Sequence, residues 1–176
     1  MPRSGKANMT QAGEHKAPTL RRAQAADAQR ICELVQQTIR EIYPLYYPAA
    51  VVSFFGSLHS LDAITADIAS KTVLLLEDGK RLVGTGTLSG NHITRVFVAP
   101  RCQGQGYGTA LLDKLEAVAG SQTDTVLLDA SLPAAHFYEH RGYSVTHHEL
   151  FEVRTQTGSL EAVLVYPLMQ KTLSSR

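Results

Sequence analysis

Apolar side chains along this chain recur at helical spacing in some stretches and in alternation or short runs in others, and each change marks a new element. Thr19 to Arg22 predicts a short opening strand. After Asp27, residues Ile31, Leu34, Val35, Thr38, Ile39 and Ile42 fall every three or four positions, which predicts a helix with one buried face ending near Pro44. Pro48 suits the first turn of a second helix and Ser60 the cap of a third, and apolar positions from Val51 to Ile68 fill both. Val73 to Glu77 and Arg81 to Leu88 then read as a hairpin about Asp78-Gly79, a pair that tolerates the positive φ of tight turns. Ser89-Gly90-Asn91 predicts a further turn into a strand from His92 to Val98.

Gly106 to Ala119 predicts an amphipathic helix carried by Leu111, Leu112, Leu115, Val118 and Ala119, and Thr125 to Asp129 a strand after it. A strand, helix, strand unit of this kind predicts parallel neighbours joined by a right-handed crossover, with a ligand site at the carboxyl end of the first strand. Pro133 to His140 predicts a short helix, and Tyr143 to Val153 and Leu160 to Tyr166 a last pair of strands, so the fold class is mixed α/β.

The 176 residues fit one domain, expected over 18–172, while the Gly, Ala and Lys content of 1–17 predicts a disordered tail. Seventeen basic residues against sixteen acidic ones give a net charge of +1, which predicts neither nucleic acid nor an anionic membrane as partner. Any anion must be bound locally. No apolar stretch approaches membrane-spanning length, and two distant cysteines, Cys32 and Cys102, fit no metal or redox spacing, so a reduced cytoplasmic protein is expected. His136 and His140 lie four apart on one predicted helix, but Glu139 is misplaced for a His-Glu-x-x-His site and no third ligand is evident, so no metal is expected.

The informative segment is Val96-Phe97-Val98-Ala99-Pro100-Arg101-Cys102-Gln103-Gly104-Gln105-Gly106-Tyr107-Gly108-Thr109, a strand running through a glycine-dense loop into a helix. Amides at a helix start lack internal partners and sit at the positive end of the helix dipole, and glycines there let a phosphate approach them. Two familiar nucleotide loops do not fit. The dinucleotide pattern Gly-x-Gly-x-x-Gly fails because the third glycine arrives one residue early, at Gly108, and the triphosphate pattern fails because no Gly-Lys-Ser or Gly-Lys-Thr follows.

Gln103-x-x-Gly106-x-Gly108 after Val98-Ala99-Pro100 resembles the acetyl-CoA motif of the GNAT superfamily of N-acetyltransferases, and Ser131-x-x-Ala134-x-x-Phe137-Tyr138-x-x-x-Gly142-Tyr143 resembles its second signature. The likeness extends from about Thr19 to Lys171. It implies a mostly antiparallel central sheet flanked by helices, with the parallel cofactor unit splayed into a V-shaped cleft. It also implies acetyl-CoA as acyl donor: Phe97 and Val98 bind the pantetheine arm by their backbone, and Gln103, Gly104, Gln105, Gly106, Tyr107, Gly108 and Thr109 receive the pyrophosphate. Ser131 stands where many relatives carry an asparagine that touches the cofactor, and serine has a shorter reach.

The resemblance further implies direct transfer to a primary amine of a small molecule or peptide, with Tyr138 serving the departing thiolate. An amine of pKa about 10.4 is mostly protonated near neutrality, so a base is needed. Relatives often place a carboxylate at the head of the strand before the loop. Here that place holds His92 and Thr94, so His92, Glu41, Glu149 and water all stay open as the base. A catalytically weak acyl-CoA sensor is the alternative reading, and a homodimer is also left open. Tyr43, Tyr46, Tyr47, Phe54 and Phe55 fall in the acceptor-covering region, where they are expected to divide between core packing and a substrate wall.

Overall fold

The computed structural model describes residues 17–173, so the tail expected over 1–17 lies, apart from Ala17, outside the described residues. Strands β1 (Thr19–Arg22), β2 (Thr72–Asp78), β3 (Arg81–Ser89), β4 (His92–Val98), β5 (Thr125–Asp129), β6 (Ser144–Arg154) and β7 (Leu160–Thr172) form one sheet in the order β1-β2-β3-β4-β5-β7-β6. Helices α1 (Ala28–Ile42), α2 (Ala49–Leu58) and α3 (Leu61–Ser70) cover one face, and α4 (Tyr107–Ala119) and α5 (Leu132–His140) cover the other. Every pairing is antiparallel except β4 with β5.

Helix α1 forms as its periodicity predicts, burying Ile31, Leu34, Val35, Thr38 and Ile39; each fully buried aliphatic side chain contributes about 1.5–3 kcal/mol. Its entry is fixed by Asp27, whose carboxylate accepts Arg21 Nη1 at 2.7 Å, Arg21 Nη2 at 2.8 Å and the Gln24 amide at 2.8 Å. Those hydrogen bonds outweigh burial and hold the Asp27 carboxyl down at about 2. Ser60 caps α3 by accepting the Ala63 amide at 3.3 Å.

The first hairpin turn sits one residue later than the Asp78-Gly79 reading, and the second falls within the expected Ser89-Gly90-Asn91. Asp78 pairs with Arg81 and Ser89 with His92, so the turn residues are Gly79-Lys80 and Gly90-Asn91, each with φ +61° at the glycine. A positive φ at the first central position alone is the type II′ signature, and glycine is the residue that takes it without strain. The last strand also runs past its predicted end at Tyr166. Pro167 interrupts no run of ladder bonds: its carbonyl accepts the Ala130 amide at 3.0 Å, so its missing N–H faces the carboxyl end of β5, where pairing stops.

Two features of β3 and β4 place the site. A Cβ on Gly84 would stand 2.7 Å from Leu111 and one on Gly86 2.7 Å from Leu115, so the bare backbone of β3 lets α4 press onto the sheet. In β4 the register with β3 slips between Thr85 and Thr87, placing two residues opposite Gly86, and Arg95 adopts φ +50°. This is a β-bulge, and a left-handed arginine there stores on the order of 1–2 kcal/mol of backbone strain. Beyond it β4 and β5 part, for their pairing is limited to His92 with Leu127 and Ile93 with Leu128.

Candidate active site

The parted strands open on two cavities of about 420 Å³ each. One lies against the glycine loop and is lined by Phe97, Val98, Gln103, Gly104, Gly106, Gly108, Thr109 and Ser131, together with Thr38, Phe137 and Tyr138. The other lies under α2 and α3, and Tyr43, Val96, Phe97, Ser131 and Tyr138 belong to both. The cavities therefore meet at the split in the sheet, and the second, on the side where the resemblance leads one to expect an acceptor, is the acceptor-side cavity.

In the loop, Gly104 and Gly106 have φ +74° and +84°, and a Cβ on either would point into open space. The first intrahelical bond of α4 comes from the Ala110 amide to the Gly106 carbonyl at 3.0 Å, which leaves the amides of Tyr107, Gly108 and Thr109 without helical partners. Free amides, bare glycines and the positive end of a thirteen-residue helix suit a diphosphate. Two expected residues contribute no side chain. Tyr107 turns its hydroxyl to Asp78 at 2.9 Å and Gln105 bonds the Arg101 carbonyl at 3.0 Å, so only their backbone is left for a ligand. Gln103 folds back, donating to the Val98 carbonyl at 3.2 Å.

Tyr138 is buried, and desolvation, aided by Tyr43, lifts its phenol well above the ordinary tyrosine range. Tyr43 beside it is pushed up to about 12 by burial, against a contrary pull from Ser131. Both are neutral hydrogen-bond donors at any physiological pH. Ser131 sits just before α5, whose first amide, that of Leu132, donates to the Tyr47 hydroxyl at 2.7 Å.

Of the residues considered as base, Glu41 accepts from Gln37 at 2.8 Å and Glu149 meets His147 at 2.7 Å on the surface, and neither lines a cavity. His92 does not line one either, but its Nε2 lies 3.1 Å from Asp129 Oδ2, at an angle too poor for a hydrogen bond, and Asp129 does line the acceptor-side cavity. A carboxylate therefore does stand near the head of β4, carried by the end of β5 and not by β4 itself. The signal that would have found it is its place at the carboxyl end of the second parallel strand, two residues before Ser131.

Of the aromatic cluster, Tyr43, Phe54 and Phe55 line the acceptor-side cavity, Tyr47 is core and Tyr46 is exposed. Phe151 from β6 stacks on Phe54 at 4.5 Å and completes that wall. His59 and Arg95 also line this cavity and were not anticipated. The Arg95 Nε donates to His59 Nδ1 at 3.1 Å, and burial with the neighbouring guanidinium lowers the imidazole to about 3, so His59 is neutral.

A family model described as an acetyltransferase (GNAT) domain matches residues 42–155. The chain belongs to the GNAT acetyltransferase family. A GCN5-related N-acetyltransferase of Rhodopseudomonas palustris is similar over 90% of this chain and 98% of its own, at 25% identity and a TM-score of 0.80. The PaiA N-acetyltransferase of Thermoplasma acidophilum, solved in complex with coenzyme A, covers 89% of this chain and 99% of its own, at 15% identity and a TM-score of 0.69. YncA of Salmonella typhimurium, solved with its cofactor acetyl-CoA, covers 92% and 96% at 18% identity and a TM-score of 0.59. The latter two likenesses carry the GNAT fold alone. No curated protein matches the chain. The GNAT assignment accounts for the split sheet and the glycine loop. Among the described residues, no single helix is long and apolar enough to cross a membrane, and no group of three or more His, Cys, Asp or Glu is arranged to hold a metal.

Proposed function

We propose that this acetyltransferase moves the acetyl group of acetyl-CoA directly onto a primary amine, with Gly104 to Thr109 holding the pyrophosphate and Tyr138 serving the leaving thiolate. The observation that carries the reading is the open amide nest of Tyr107, Gly108 and Thr109, set on the same cavity as the Tyr138 side chain. Bound acetyl-CoA supplies the electrophile: the ammonium gives one proton to Asp129, the neutral amine nitrogen adds to the thioester carbon, the carbon–sulfur bond breaks, and the nitrogen's second proton replaces the one that Tyr138 gives to the departing sulfur. The buried phenol of Tyr138 donates to that sulfur. Its raised pKa keeps the proton available throughout the neutral range.

On the other side of the split, Asp129 holds the incoming ammonium and accepts its proton, with the His92 imidazole 3.1 Å from that carboxylate. The sensor alternative drew its support from the lack of a carboxylate near His92, and Asp129 stands where that reading required none. The aromatic wall of Phe54, Phe55 and Phe151 excludes water from the acceptor side.

Calorimetry with acetyl-CoA, followed by release of free CoA thiol across a panel of primary amines, tests this reading. Wild-type protein is expected to bind and to release thiol only when an amine is present. Gly106→Val, which fills phosphate space and resists a φ of +84°, is expected to fold and to lose binding. Absence of acetyl-CoA uptake at millimolar concentration by the wild type overturns the assignment.

A further inference from the structure

We infer that the amine acceptor also carries a carboxylate, which sits on Arg95 and Lys71 while its amine reaches Asp129. This rests on the acetyl-transfer reading of the same site and names the class of molecule it takes. The charged groups lining the acceptor-side cavity are Asp67, Lys71, Arg95 and Asp129. They are not scattered. Asp67 on α3 receives Lys71 Nζ on Oδ1 at 2.6 Å and Arg95 Nη1 on Oδ2, so one carboxylate is shared by two cations and that corner keeps one positive charge. His59, neutral through burial and the nearby guanidinium, neither adds to that charge nor cancels it.

Arg95 is an unusual residue to find there. Its side chain is 8% exposed, its backbone is left-handed, and the bulge that strains it also turns it under α3 and into the cavity. Arg95 spends Nε on His59 and Nη1 on Asp67, and its Nη2 has no partner among the described residues. A guanidinium held in place on two of its nitrogens, with the third left open on a cavity, is a ready carboxylate receptor. A purely structural ion pair would be satisfied by one cation on Asp67, and Lys71 already supplies it. On the β5 side of the split, Asp129 gives the cavity a separate negative end, with Tyr166 beside it. A cavity with a cationic corner, an anionic end and an apolar wall of Phe54, Phe55 and Phe151 complements an amine and a carboxylate held apart on one molecule, as in an amino acid or short peptide.

The test is calorimetry with product mimics in three matched pairs: N-acetylglycine, N-acetyl-β-alanine and N-acetyl-L-phenylalanine, each against its carboxamide, with and without saturating CoA. At least one free acid is expected to bind tenfold or more tightly than its amide, and Arg95→Gly, which keeps the left-handed backbone and leaves Asp67 paired with Lys71, is expected to abolish the difference. Lys71→Gln is expected to reduce it about threefold, and it decides alone if Arg95→Gly does not fold. No acid preference in any pair, or a preference unchanged in the folded variants, overturns the inference. Uptake of CoA alongside that result leaves the acetyl-transfer reading standing, whereas failure to take up CoA removes that reading while the CoA-free titrations still judge the carboxylate corner.

Discussion

The hydroxyl of Tyr47 accepts the first amide of the helix that carries Tyr138, at 2.7 Å from the Leu132 nitrogen. It ties the segment between α1 and α2 to α5 across the mouth of the split. Tyr47→Phe leaves that amide without its partner, so a loss of about 1 kcal/mol in stability is expected by thermal unfolding. Because the same helix positions Tyr138, turnover is expected to fall about tenfold with acetyl-CoA affinity little changed.

Under the proposed reaction, Tyr138→Phe removes a donor from the sulfur without opening the cavity. Turnover is expected to drop about a hundredfold while acetyl-CoA binding stays within a factor of two, since only a charge-stabilising group late in the reaction is lost. A steady-state comparison with matched calorimetry checks this. As burial raises the Tyr138 phenol above its ordinary range, the wild-type rate is expected to show no descending limb from tyrosine ionisation below pH 10.

Thr87 in β3 is fully buried and its hydroxyl has no partner among the described residues. Thr87→Val keeps the shape and removes the desolvated oxygen, so a gain of about 1 kcal/mol is expected, or roughly 2–4 °C in the unfolding midpoint. An unchanged or lowered midpoint would show that the hydroxyl is satisfied in solution.

His59 gives stability a pH dependence with a definite sign. Its imidazole titrates at about 3 in the folded chain against 6.5 ordinarily, so between those values the unfolded chain holds a proton that the folded one does not, and stability falls as pH drops through that window. Asp27 acts lower: the stability it contributes is complete above 3.8 and is lost as pH falls toward about 2. Denaturant titrations from pH 7 to pH 4 are expected to show a slope that His59→Phe flattens.

Much of this architecture is legible in the chain because it is local. The period of Ile31 to Ile42 sets α1, the glycine spacing after Val98 marks the amide nest, and the two resembling motifs bring Ser131 and Tyr138 to it. Three other features depend on pairing that no local pattern reveals. Asp129 reads as the last residue of a strand until the parallel register places it beside His92. Arg95 reads as an ordinary strand residue until the slip opposite Gly86 rotates it. The last strand is expected to end at Tyr166, and the early stop of β5 is what lets it run on through Pro167 with no ladder bond lost.

The two rungs that join β4 to β5 have a consequence for how this protein trades stability against use. A sheet zipped along the full length of both strands would satisfy more backbone and leave neither chamber connected to the other. By stopping its own ladder early, the chain leaves peptide groups of the two strands unpaired with each other, so the place where the fold is least finished is the place where the proposed reactants would be introduced to each other.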